Sequence, residues 1–125
     1  FEKHKEQTEV QVERLQQVFD LLGKPARGKT CPAIEGILEE GEEVLESFKG
    51  SDALDAGLIA SAQAVEHYEI TRYGTLKAWA KQLGLNDAVR MLDISLKEAE
   101  KTDALLSKMA EQKINAKAAH SAAAR

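Results

Sequence analysis

The run from about Ala53 to Leu83 constrains this chain more than any other stretch. Leu58, Ile59, Ala62, Tyr73, Leu76 and Ala80 recur along it at helical spacing, which predicts a helix of about thirty residues, roughly 45 Å long at about 1.5 Å per residue. Gly50-Ser51-Asp52 supplies the break and the N-cap before it. Gly84-Leu85-Asn86 follows, a C-terminal glycine and a capping asparagine in a connection so short that the next helix must fold back antiparallel. Whatever this chain becomes, it contains a long helical hairpin.

The other segments read the same way. Phe1, Lys5, Thr8, Val12, Leu15, Phe19 and Leu22 mark a helix from Phe1 to Leu22, stopped by Gly23 and Pro25. It opens without a capping residue, so the natural helix is expected to start before Phe1. Lys24 to Thr30 reads as a solvated connector. Its Gly28-Lys29-Thr30 ending resembles a phosphate loop, but the upstream glycine and the preceding strand are missing. From Cys31 to about Phe48 a shorter helix is predicted, with Pro32 in its first turn and Ile34, Leu38 and Leu45 as its buried stripe. Glu39, Glu40, Glu42, Glu43 and Glu46 lack the loop geometry of a calcium site and read as a solvated face. After the turn, Leu92, Leu96, Ala99, Asp103, Leu106 and Ala110 alternate in steps of four and three. No period-two alternation and no Asn-Gly hairpin signal occurs. The expected fold is all-α, an antiparallel four-helix bundle over residues 1–112 with an Ala-rich tail at 113–125 that is assigned no chemistry. The bundle is expected to be completed by dimerisation or to be truncated at its N-terminus.

Composition bounds the function. With 125 residues, 43% hydrophobic and 30% charged, the chain suffices for one soluble domain with a modest core. A net charge of -4 and the lack of a basic stripe argue against nucleic acid as partner. The apolar runs are only a few residues long, so no membrane span is expected. The single cysteine, Cys31, forms no internal disulfide, which fits a cytoplasmic setting.

Chemistry concentrates in Glu66-His67-Tyr68-Glu69, in the middle of the longest helix. Two acids three residues apart share a helical face, and here that face is the apolar one, with Glu69 near its centre and Glu66 toward one side. A buried carboxylate has to be protonated, paired with a cation or bound to a metal. Asp103 is a second acid on a core stripe, and His4 stands near the core face of the first helix. Acids on two helices with a histidine on a third match the way dinuclear carboxylate sites are built into helical bundles. Carboxylate and imidazole donors suit iron, manganese or zinc. Two other readings remain open: a metal-free helical scaffold with hydrogen-bonded acids, and a partner-binding module using Tyr68 and Trp79 off the main stripe.

Phe1-x-x-His4-x-x-x-Thr8 with Glu13-Arg14-Leu15 and Phe19, Ala33-Ile34-Glu35-Gly36, Glu66-His67-Tyr68-Glu69-Ile70 with Tyr73-Gly74-Thr75-Leu76, and Leu96 with Thr102-Asp103 together resemble the YciF-type family of ferritin-like stress proteins. The match covers nearly the whole chain except the Ala-rich tail. The resemblance implies a rubrerythrin-like four-helix bundle with a dinuclear metal site. It makes His4, Glu66, Glu69 and Asp103 the ligand candidates, with Thr8 and Tyr73 as neighbours, and iron or manganese the expected metal, zinc being a third option. Two departures stand out. The family has a further helix before Phe1 that contributes an acid, and it tends to carry an acid where this chain has Ala99. A homodimer is expected, as is at most one well-filled metal position.

Overall fold

The computed structural model describes residues 1–123 of the chain. Among them every regular element is helical: α1 (Glu2–Leu21), α2 (Pro32–Ser47), α3 (Leu54–Gln82), α4 (Asn86–Met109), a π-helical turn (Ala110–Ile114) and α5 (Asn115–Ala123). No strand occurs among the described residues. The helix therefore continues through most of the Ala-rich tail; Ala124 and Arg125 lie outside the described residues.

Local chemistry accounts for the breaks. Ser51 Oγ accepts the Ala53 N–H at 3.0 Å just before α3, after Gly50 has taken a left-handed conformation (φ 76°) that a side chain would resist. At the other end Gly84 (φ 73°) reverses the chain, and the Leu85 N–H returns to the Ala80 carbonyl at 2.9 Å. The cap position of α4 is Leu85, whose carbonyl takes the Val89 N–H at 3.0 Å; Asn86, expected as the cap, is already in the first turn.

The chain forms two compact units. Residues 1–30 and 71–98 make the first, where α1 and the N-terminal half of α4 run antiparallel. Arg14 Nη1 donates to Ser95 Oγ at 2.7 Å and Arg14 Nη2 to Glu98 at 3.0 Å, while Gln11 Nε2 donates to the same carboxylate at 3.0 Å. The apolar core of this unit is Tyr73, Ala80, Ala88 and Leu92, with Leu15, Val18 and Val89 packed against it. Lys77, from the second half of α3, bonds Asp93 at 2.6 Å.

Residues 31–70 and 99–125 make the second unit. There α2 lies antiparallel on α3: Cys31 Sγ stands 3.0 Å from Tyr68 Oη, Gly41 faces Ser61, and Gly57 faces Val44. The approach at Gly57 is so close that a Cβ there would lie 2.5 Å from Val44 Cγ1, so only glycine fits. In the same unit Gln63 and His67 of α3 reach Asp103 and Ser107 of α4.

The stripes hold at Ile59, Tyr73 and Ala80 and at Leu92, Ala99 and Leu106, and depart from expectation at particular positions. On α1 the buried residue is Gln11, not Val12, which is half exposed, and Phe1 is open to solvent. On α2 nothing is fully buried: Ile34, Ile37, Gly41 and Val44 are the half-buried positions, and Leu38 and Leu45 are exposed. On α3 Leu76 is exposed, and the buried line is Ile59, Glu66, Tyr73 and Ala80. On α4 Ser95 is buried, with Leu96 only half so. The α3 line has a step of seven residues. A contact line of that period follows 3.5 residues per turn, and it runs through Glu66, with Glu69 to one side of it.

Candidate functional site

Glu66, at the centre of the buried line of α3, is only 2% exposed. Its pKa is raised to about 7, first by burial and then by the negative charges of Glu69 and Asp103. Glu66 therefore lies within the field of two other acids of the second unit. Glu69, one turn along, also has its pKa raised by burial, and its Oε2 is buried with no hydrogen-bond partner. An unpaired buried carboxylate oxygen costs stability, about 1–3 kcal/mol for a polar group and more for a charged one, and native proteins retain few of them.

Asp103 is better supplied. Gln63 Nε2 donates to its Oδ1 at 3.0 Å and also reaches Ser107 Oγ at 2.9 Å, while His67 Nε2 stands 3.0 Å from Oδ2. The acid is about one-fifth exposed and the histidine about two-thirds, so this edge of the cluster opens to solvent. Gln63 and His67 were not expected as site residues. Gln63 gives no sequence signal beyond standing four residues before His67, and His67 sits inside the motif without marking which acid it serves.

His4 lies in the first unit, on α1, half-buried. Burial pushes its imidazole below the ordinary value. Thr8 Oγ1 donates to the His4 carbonyl at 2.9 Å, a bond within the helix that leaves the ring's orientation to other contacts. Tyr73, named as a neighbour, is buried in the core of that unit. Of the four ligand candidates the second unit thus brings three acids together, and His4 stands in the other unit.

Among the described residues no group of three or more His, Cys, Asp or Glu side chains is arranged as a metal coordination sphere. The donor types suit a hard divalent cation, and the bare Glu69 oxygen is the kind of group such a cation satisfies. Ala99, where the resemblance led to an acid, is 1% exposed and brings none. Glu98 does not substitute for it, because Arg14 and Gln11 already hold its carboxylate. Of the proposed patch residues, Trp79 is 63% exposed, whereas Tyr68 is half-buried against Cys31.

Residues 1–119 match a family described as a domain of unknown function, DUF892. The chain belongs to that family. It is 42% identical to Protein YciF of Escherichia coli strain K12 over 123 residues, which is 98% of this chain and 74% of that protein. The crystal structure of the E. coli stress protein YciF superposes with a TM-score of 0.86, covering 92% of this chain and 73% of that one at 42% identity. The structure of YcfI from Rhodopseudomonas palustris gives a TM-score of 0.81 at 48% identity, over 84% and 67% of the two chains. The chain is thus a YciF-type, all-α helical protein, as its motifs indicated. No helix among the described residues is long and apolar enough to cross a membrane.

Proposed function

We propose that this protein acts in a stress response as a ferritin-like metal-binding protein, with Glu66, Glu69 and Asp103 as carboxylate ligands to one divalent ion, iron or manganese before zinc. The observation that carries this reading is the buried, unpartnered Oε2 of Glu69 beside a Glu66 whose proton affinity its acidic neighbours have raised. A buried carboxylate flanked by two others, one of them with a bare oxygen, forms a site that a cation relieves more effectively than a single proton does. When bound, such an ion supplies Lewis-acid or redox chemistry. The chain's own part is to hold Asp103 through Gln63 and His67, and to carry on Glu66 a proton that leaves as the ion arrives. The name of the E. coli relative, a stress protein, motivates the biological assignment.

The test is thermal unfolding of chelator-free protein with and without Fe(II) under anaerobic conditions, or Mn(II). Metal raises Tm in the wild type and leaves Glu69→Gln unmoved. His4, the imidazole candidate added by the family resemblance, is tested by the same titration on His4→Ala. An unchanged wild-type curve at saturating metal favours the second reading, a metal-free scaffold. Assembly is proposed to be a homodimer, since Trp79 near the C-terminal end of α3 and Leu83 just after it are 63% and 72% exposed; light scattering at micromolar concentration checks it. A cytoplasmic location is proposed on the single cysteine.

A further inference from the structure

Charge in this chain is segregated. Residues 31–71 hold ten acids and one lysine, Lys49, whereas the rest of the sequence holds 11 acids and 16 lysines and arginines. The acidic segment is α2 together with the half of α3 on which it lies, all in the second unit.

Between these two helices runs a groove of about 320 Å³ whose lining is almost wholly apolar. Leu38, Gly41 and Leu45 of α2 line one wall, and Leu58, Ala62 and Val65 of α3 the other. Small residues let the helices approach here: a Cβ on Gly41 would meet that of Ser61 at 3.5 Å. Leu38 and Leu45, seven residues apart on one line of α2, are 54% and 47% exposed. The next line round α2, in the same heptad register, is acidic: Glu35 with Glu42, and beyond it Glu39 with Glu46. Glu42 itself lines the groove. Neither wall carries a cation, because no Lys or Arg occurs from Cys31 to Phe48 or from Leu54 to Thr71.

From this juxtaposition we propose that the α2–α3 groove is a docking site for a basic amphipathic helix of a partner protein. The partner carries apolar anchors at seven-residue spacing to seat against Leu38 and Leu45, and Lys or Arg beside them to face Glu35, Glu42 and Glu46. The dimensions suit it, since α2 spans 16 residues, about 24 Å at about 1.5 Å per residue, which is the length of a three-to-four-turn partner helix. Charge decides the occupant. A second apolar segment with acidic flanks, including another copy of this groove, is repelled by the same rim, whereas cationic flanks both steer association and select among apolar helices.

The probe is a fluorescein-labelled 15-residue helical peptide with leucines at seven-residue spacing flanked by lysines, beside the same peptide with every lysine replaced by glutamate. Fluorescence anisotropy with the whole chain is expected to show saturable binding of the basic peptide and at least tenfold weaker binding of the acidic one. Leu45→Asn, at an exposed position where folding is little affected, is expected to weaken the basic peptide at least tenfold. Glu35→Lys with Glu42→Lys is expected to invert the preference, so that the acidic peptide becomes the better ligand. No binding, binding that ignores peptide charge, or binding unaffected by Leu45→Asn overturns the proposal. So does a self-association that Leu45→Asn abolishes in sedimentation, because the groove is then filled by a second copy.

Discussion

Each unit buries polar side chains where the helical pattern leads one to expect apolar ones, and the two do so in opposite ways. In the first unit Gln11 and Ser95 are buried with Arg14 and Glu98 around them, and within that network the guanidinium and the carboxylate meet each other. In the second unit Glu66 is buried among acids, and Glu69 keeps an oxygen with no donor. A satisfied polar network fixes how helices pack and contributes to stability. A frustrated cluster destabilises the fold, and perturbed acids held together in this way are the usual mark of a functional site. The difference separates the polar groups that tie helices together from those assigned to the proposed site.

Variants that remove one partner from each centre break or sharpen that contrast. The largest effect is expected in the satisfied network. Arg14→Ala leaves the Glu98 carboxylate with Gln11 but no counter-charge and removes the donor to Ser95, and is expected to cost about 3 kcal/mol, read as a lower urea midpoint at unchanged slope. In the frustrated cluster the sign reverses. Metal at about a hundred times its Kd is expected to add about 2.7 kcal/mol to the stability of the wild type, seen as a rise in Tm that Glu69→Gln abolishes.

Next in size is the effect of pH on the cluster. Because the folded-state pKa of Glu66 is raised from 4.5 to about 7, folding takes up a proton between those values. Its contribution is fully present below the ordinary carboxylate pKa and is lost as pH rises through about 7. Metal-free wild type is therefore expected to be more stable at pH 6 than at pH 8. Glu66→Gln is expected to flatten that dependence and to gain about 1–2 kcal/mol at pH 8, measured by urea unfolding at both values. The smallest effect belongs to His67. Its contact with Asp103 is largely solvent-exposed, so His67→Ala is expected to change stability by about 0.5 kcal/mol or less in the same assay.

The elements were legible in the sequence, and their faces less so. Gly23, Gly50 and Gly84 punctuate the chain, all with positive φ, and helix ends fall within a residue or two of where capping residues and periodicity put them. The phase went astray where the core is polar. Counting apolar residues favours Val12 over Gln11 and Leu96 over Ser95, because a polar residue is read as solvent-facing unless its partner is known. Here the partners, Glu98 and Arg14, lie more than 80 residues away in sequence. On α2 the same counting placed Leu38 and Leu45 inside, but the small residues Gly41 and Gly57 draw α2 onto α3 along a neighbouring line. The acids of the site were legible from their motif. The residues that hold Asp103 were not, since a glutamine and a histidine on α3 acquire that role only when α4 is packed against them.

The central claim is that Glu66, Glu69 and Asp103 form a charge-frustrated centre which a divalent ion relieves, and proton release on Mn(II) binding tests it most directly. Calorimetric titration at pH 7 in two buffers of different ionisation enthalpy gives stoichiometry and proton count together. The wild type is expected to bind one Mn(II) per chain and to release close to half a proton, since Glu66 with a pKa of about 7 is then about half protonated. Glu66→Gln is expected to lose the proton release, and Glu69→Gln the binding itself. A wild type that takes up no Mn(II), or Mn(II) binding that Glu69→Gln leaves intact, would contradict the account.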